Sequence, residues 1–245
     1  MPSGDLVSLL RASLAAHQPV VVDAPGLRRA AVLAPLVFKG PEPYVLFTER
    51  THDVATHKGQ VSFPGGSIDP TDADARQAAL RETHEEIGVR PDQIDVLGRL
   101  DDVVTSAATF VVTPFVGVMD DGAAHIASRG EVARILEVPL AHLLDPERRH
   151  PDANTHHWMY EWQGTAIWGA TARMLNQLLH ILGLVDPFAE DVAVLRSLTD
   201  PDDRASFIQL LLNVHATRES AADFVRRHPA EVPASVRNHV LGLRA

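Results

Sequence analysis

Apolar residues recur at helical spacing over Leu6–Ala16, which predicts a short leading helix. Two β-rich runs follow, Ala30–Phe38 and Tyr44–Thr48, parted by the turn signal Gly40-Pro41-Glu42-Pro43. Gly65-Gly66 and then Asp69-Pro70-Thr71-Asp72 predict a loop. Ala73 to Ile87 carries a helical pattern that Gly88 stops, with Pro91 beyond it. Strand-like segments recur at Ile94–Leu100, Phe110–Val118, Ile135–Val138 and His156–Trp162, and Thr165–Trp168 is a further short candidate. Thr171–Leu184 predicts a strongly amphipathic helix. After Pro187 the character changes. Ala189–Leu198, Ala205–His215, Ser220–Arg227 and Val236–Leu243 have helical patterns with Asp and Pro between them. There is no internal repeat and no low-complexity tract.

Strands alternating with a few helices predict an α/β fold, a mixed-sheet sandwich with an all-helical C-terminal extension. The expected division is an N-terminal helix and linker over residues 1–28, a main domain over 29–185 and the extension over 186–245. At 245 residues and 45% hydrophobic content the chain can bury a proper core. The net charge of -10, with Lys39 and Lys58 the only lysines, argues against general nucleic-acid binding. A local cluster of basic side chains and metal ions would still suit a small polyanion. With no cysteine there can be no disulfide, thiolate nucleophile or Cys-based zinc site. Asp5 sits where a signal peptide is basic, and Arg11 and His17 break the apolar stretch. No apolar run approaches the roughly 20 residues that a membrane helix needs. The expectation is a soluble, cytoplasmic protein with no membrane partner.

The chemistry concentrates in one helix. Spacings of three and four residues put Glu82, Glu85 and Glu86 on a single face. Like charges so placed cost a helix a few tenths of a kcal/mol per pair, roughly, and burial raises a carboxyl pKa. A divalent cation would remove that penalty, and hard carboxylate oxygens suit Mg²⁺ or Mn²⁺ shared with substrate phosphates. The acidic face is preceded by a Pro64-Gly65-Gly66 loop and followed by Ile87-Gly88-Val89, where Gly88 suits the helix stop.

This stretch resembles the Nudix box, a Gly, five residues, a Glu, seven residues, then Arg-Glu-apolar-x-Glu-Glu-x-Gly-apolar. Arg81-Glu82-Thr83-His84-Glu85-Glu86-Ile87-Gly88-Val89 matches its core, with Thr83 in the apolar place. The spacing carries one extra residue, and either Asp72 or Asp74 could fill the first acidic place. A longer box, Phe-Pro-Gly-Gly-x-x-Asp-x-Thr-Asp, is shared by the Nudix hydrolases acting on coenzyme A. Phe63-Pro64-Gly65-Gly66-Ser67-Ile68-Asp69-Pro70-Thr71-Asp72 resembles it. So do Leu46-Phe47-Thr48-Glu49-Arg50 and Val54 to Phe63 upstream, although Ala55 replaces an arginine of that signature. Glu137-Val138-Pro139-Leu140 and Ile167 to Arg173 also resemble this subfamily. The likeness runs from about Ala30 to Leu184 and leaves the tail unexplained.

The resemblance implies a Nudix-type α/β/α sandwich that hydrolyses the diphosphate of coenzyme A to 4′-phosphopantetheine and 3′,5′-ADP. Another nucleoside diphosphate derivative is the alternative substrate, and a binding protein without catalysis is the remaining one. Glu82, Glu85 and Glu86 are the metal-ligand candidates, and Arg81 would hold the acidic face in shape. Glu131, after an irregular loop, is the candidate for a further base or ligand, as related enzymes often supply one from a loop. Arg50, His57 and Lys58 are candidates for gripping phosphates; Arg suits this through its planar fork. Gly59, Phe63, Gly65 and Gly66 complete the expected substrate-binding set. A second copy of the chain is a candidate partner. Trp158, Trp162 and Trp168 could stack an adenine, although at strand spacing they suit a core.

Overall fold

The computed structural model describes residues 3–51, 59–105, 109–120, 123, 125–128, 130–151, 158–185, 192, 195–196, 199–202, 204–206, 208 and 218–241. The chain divides into two compact units. One is Met1–Asp152 with His157–Val185, and the other is Ala153–His156 with Asp186–Ala245.

The first unit is built on a mixed sheet. β1 (Arg28–Lys39) and β2 (Glu42–Arg50) form an antiparallel hairpin in which Leu36 faces Val45. β3 (Val61–Ser62) and β8 (Val132–Pro139) pair with β2, and β4 (Gly65–Ser67) pairs with β1, all antiparallel. β1 also runs parallel to β7 (Phe110–Met119), which makes the sheet mixed. β5 (Ile94–Arg99) and β6 (Val103–Val104) complete it as antiparallel partners of β7. A smaller sheet joins β9 (Arg149–Pro151), β10 (Trp158–Trp162) and β11 (Thr165–Ile167). Its tight turn uses positive φ at Gln163 and Gly164, as two-residue hairpins require.

Helices supply the other layers. α2 (Ala75–Ile87) starts at Asp74, whose side chain accepts from the Gln77 amide, and ends at Gly88 with φ 75°. The helix therefore begins two residues later than the periodicity suggests. Asp74 serves as its cap, satisfying an amide that the helix leaves orphaned. Ala78 and Ala79 pack on Ala31 of β1, and Ile87 joins Leu33, Val37 and Leu46 in the core. After α3 (Leu140–Leu144), α4 (Gly169–Ile181) buries Ala172, Met174, Leu175, Leu178 and Leu179. Thr171 and Arg173 tie α4 to the Val61 and Val104 carbonyls.

The leading helix α1 (Ser3–Ala16) buries Leu6, Leu10 and Leu14, one residue per turn on one stripe. It packs so closely on β5 that a Cβ on Gly98 would lie 2.8 Å from Leu14 Cβ. The Val20 and Val22 amides donate to Asp101 and Asp102, so the segment after α1 is laced to the same unit.

The second unit has its own apolar core of Val192, Leu195, Ile208, Phe224, Val225 and Val232. Its helices include α5 (Arg218–Arg227) and α6 (Ala234–Leu241). Glu231 pairs with Arg196 at 2.9 Å and Arg204 at 2.7 Å. Much of the sequence reading of 189–215 lies outside the described residues.

Candidate active site

α2 presents its three glutamates at graded depth. The side chain of Glu86 is 3% exposed, that of Glu82 17% and that of Glu85 56%. Arg81 organises the outer part. Its guanidinium donates from Nε and Nη2 to the two oxygens of Asp72 at 3.0 and 2.9 Å. From Nη1 it reaches Glu82 at 3.0 Å and Glu85 at 3.2 Å, and from Nη2 the Ser67 carbonyl at 3.2 Å. This fork-on-fork pair holds the Asp72 carboxyl below the usual carboxylate range and raises the arginine further. Of the two acidic residues that the sequence left open, Asp72 is the one paired with Arg81, whereas Asp74 is committed to the helix cap. The extra box residue is absorbed in the turn before the helix, where Asp69 accepts from the Thr71 amide and hydroxyl.

Glu86 sits in a different setting. Burial pushes its carboxyl up to about 7, only partly opposed by Arg50 and by the Gly65 amide. Arg50 Nη1 lies 3.8 Å from Oε1, and Thr48 Oγ1 lies 3.4 Å from Oε2. Both come from β2, two residues apart and therefore on one face of the strand. A register shift between Glu49 and Arg50 ends the regular pairing with β8 at this point, a device that re-aims side chains beside sites. Glu82 is also raised, first by burial, with like charge from Glu85 and Glu131 adding to it.

Glu131 belongs to this cluster electrostatically, since its charge raises both Glu82 and Glu86. Its loop is docked on the end of α2. The Ser128 amide donates to the Glu86 carbonyl and the Ile126 amide to the Ile87 carbonyl, each at 2.8 Å. Those carbonyls belong to the last helical turn and have no partner within the helix.

The glycines are required by contact. A Cβ on Gly66 would lie 2.5 Å from a Glu82 carboxylate oxygen, and one on Gly65 2.4 Å from the Ala31 carbonyl. The Gly65-Gly66 start of β4 is thus pressed between β1 and the acidic helix. Gly59, with φ 65°, closes the approach to Arg50, donating to the Arg50 carbonyl at 3.2 Å. His57 and Lys58 lie outside the described residues. Phe63 corrects an expectation. It is fully buried and stacks on Phe47 with centroids 4.9 Å apart, so it points into the core rather than toward a ligand. Trp158 is buried, Trp162 packs edge-on against His142, and Trp168 is exposed. Thr83, in the box's apolar place, is buried with its hydroxyl bonded back to the Ala79 carbonyl.

Sequence reasoning left Asp72 as one of two candidates for the acidic place and passed over Thr48. Both stood within quoted motifs, but only the tertiary pairing shows what they touch.

The strand β2, the Gly-Gly start of β4, an acidic helix tied by Asp72 and Arg81, and a loop docked on the helix end together form the candidate site. The NUDIX domain family matches residues 27–159, which spans all of these.

The chain belongs to the Nudix family.

The relative named uncharacterized Nudix hydrolase NudL from Cronobacter sakazakii is 42% identical over 162 residues, 64% of this chain and 83% of that protein. The protein of the same name from Salmonella paratyphi B is 40% identical over 163 residues, 64% of this chain and 84% of its own length. Among solved structures, a MutT/nudix family protein from Enterococcus faecalis shares 16% identity at a TM-score of 0.45, covering 75% of this chain and 80% of that one. The fold is the Nudix α/β/α sandwich with additional C-terminal helices, and the protein is a hydrolase acting on diphosphate bonds. No helix among the described residues is long and apolar enough to cross a membrane.

Nudix hydrolases generally use divalent metal ions. Among the described residues no three His, Asp or Glu side chains already converge as an ion-holding group. Arg81 accounts for this, because it draws Glu82 and Glu85 to itself while Glu86 turns toward β2. The donor set nevertheless fits a hard cation. It is all carboxylate oxygen, and the buried Glu86 has its nearest cation 3.8 Å away. Glu85 is the most exposed of the three.

Proposed function

We propose that this Nudix hydrolase cleaves the diphosphate of coenzyme A or its derivatives, giving 4′-phosphopantetheine and 3′,5′-ADP. The observation that carries the reading is the long box joined to its upstream signature. Residues 63–72 keep the extended spacing, and Asp72 at its end is the carboxylate that grips Arg81. Arg50, which closes the upstream signature, stands beside Glu86 rather than at a remote surface.

Glu82, Glu85 and Glu86 would hold Mg²⁺ or Mn²⁺. When bound, the ion supplies charge to the phosphoryl oxygens and lowers the pKa of an attacking water. Arg50 binds a phosphate of the diphosphate by its planar fork. Arg81, tied to Asp72, holds the acidic face in shape. Glu131 accepts the proton of the water as its oxygen attacks phosphorus. The bridging P–O bond breaks, and the proton passes to the departing phosphate. No covalent enzyme intermediate is needed.

Incubation of the full chain with coenzyme A and Mn²⁺ should release 3′,5′-ADP, read by chromatography. Much faster cleavage of ADP-ribose, NADH or a dinucleotide would overturn the substrate and leave the reaction class. Ala55, where the coenzyme A signature has arginine, is what favours that alternative. No cleavage of any diphosphate with metal present would favour a binding protein, against which stand the three retained glutamates. We further propose that residues 186–245 are dispensable for the chemical step; truncation after Leu184 should keep measurable turnover in the folded fraction.

A further inference from the structure

Thr48 stands in an apolar stretch of β2. Val45, Leu46 and Phe47 before it are fully buried, and so is Thr48. Valine has the same shape and would fill the place without a hydroxyl to satisfy. A buried hydroxyl needs a partner, since leaving one unpaired costs about 1–3 kcal/mol. Thr48 Oγ1 has three polar neighbours, all at 3.4 Å: the Ser62 carbonyl, Ser62 Oγ and Glu86 Oε2.

A hydroxyl has one proton to give and two lone pairs to accept with. Ser62 Oγ can donate to Thr48 Oγ1. The Thr48 proton is then left to choose between the Ser62 carbonyl and Glu86. A carboxylate is the stronger acceptor, because charge assistance roughly doubles the strength of such a bond. Glu86 needs it, since its charge is otherwise met by the Gly65 amide and by Arg50, whose Nη1 lies 3.8 Å from Oε1. The two β2 side chains thus address the two oxygens separately, Thr48 at Oε2 and Arg50 at Oε1.

We infer that Thr48 is a positioning residue for Glu86, its hydroxyl fixing the carboxylate from β2 so that the group is already oriented for a divalent cation. The threonine of the upstream signature then acts on the metal end of the site, whereas Arg50 acts on the substrate. This rests on Glu86 being a metal ligand, as proposed above. Groups that orient a metal ligand typically cost about 10–100-fold in affinity or activity when lost.

The experiment measures Mn²⁺ binding to the full chain without substrate, by electron paramagnetic resonance of the free ion. Wild type, Glu86→Gln, Thr48→Val and Thr48→Ser are compared. Thr48→Val should keep the circular dichroism spectrum and lose about tenfold in Mn²⁺ affinity, with kcat falling more than KM rises. Thr48→Ser, which keeps the hydroxyl, should stay within about threefold of wild type, well short of that loss. Mn²⁺ affinity in Thr48→Val equal to wild type, with only a lower Tm, would show that the hydroxyl serves Ser62 and would overturn the inference. If Thr48→Val does not fold, Thr48→Ala removes the same hydroxyl without adding volume and is read the same way. Glu86→Gln separates the two claims. Undiminished Mn²⁺ binding there would remove Glu86 as a ligand altogether, whereas a loss there with none in Thr48→Val would sink only the role of Thr48.

Discussion

The first unit buries two carboxylates in opposite ways. Asp102 has a fully buried side chain, and four groups meet it at bonding distance. Arg99 donates at 2.7 Å, Thr113 at 2.8 Å, the Val22 amide at 3.1 Å and Arg29 at 3.2 Å. Glu86, with 3% of its side chain exposed, has a threonine at 3.4 Å, an arginine at 3.8 Å and the Gly65 amide, while Glu82 and Glu131 repel it. A buried charge is tolerable when paired and hydrogen-bonded, and Asp102 meets that condition. It ties the segment after α1 to β1, β7 and the end of β5. Glu86 falls short of the condition, so its charged form is disfavoured. A fold gains nothing from such a group; a cation site does. Incomplete satisfaction at the end of an otherwise well-paired helix is what marks Glu86, set against Asp102, as the candidate functional carboxylate.

The comparison can be broken in order of effect. Glu86→Gln keeps shape and removes charge, so turnover of any diphosphate substrate should fall by more than the ~100-fold that loss of a ligand's supporting partner can cost. Mg²⁺-dependent turnover near the wild-type rate in that variant would remove Glu86 from the site. Asp102→Asn should do the reverse. It should cost about 3 kcal/mol in urea unfolding, the low end for a broken buried pair because both arginines reach solvent, while kcat per folded molecule is kept. A large loss of kcat in folded Asp102→Asn would mean that this hub also shapes the reaction. Gly66→Ala is smaller again. Its new methyl meets the Glu82 carboxylate, so stability should fall by roughly 1–3 kcal/mol, and Mn²⁺ activation should weaken as Glu82 is displaced. An unchanged Mn²⁺ requirement would show that Glu82 can retreat without consequence.

The acidic helix was legible in the sequence because its determinants are local. Glu82, Glu85, Glu86 and the Gly88 stop lie within one helix, where spacing alone sets the face and the end. The choice between Asp72 and Asp74 was not legible. Both lie in a turn, and what decides is that one caps α2 while the other meets Arg81 nine residues on. Phe63 was misassigned because its motif neighbours touch the site, whereas its own direction depends on Phe47 in another strand. Asp102 carried no signal at all, as its partners come from residues 22, 29, 99 and 113. The long strands of the first unit fell close to expectation, whereas the short β3, β4, β6 and β9 were not predicted, and Gly65-Gly66, expected in a loop, open β4. β2 runs two residues further, to Arg50, and that extension brings the phosphate-gripping candidate to Glu86.

The central claim is that Glu86 is held short of compensating charge until a cation arrives. A carboxyl whose pKa is raised by folding, here to about 7, stabilises the fold fully below its unfolded value near 4.5. That contribution is lost as pH rises through about 7. Thermal unfolding of metal-free wild type and Glu86→Gln at pH 5 and pH 8 therefore tests the claim directly. The two should melt closer together at pH 5 than at pH 8. At pH 8 the variant should melt higher, and Mn²⁺ should raise the wild type while leaving the variant largely unmoved. A variant that melts below wild type at pH 8 without metal would mean that Glu86 is as well compensated as Asp102, and the account would be wrong.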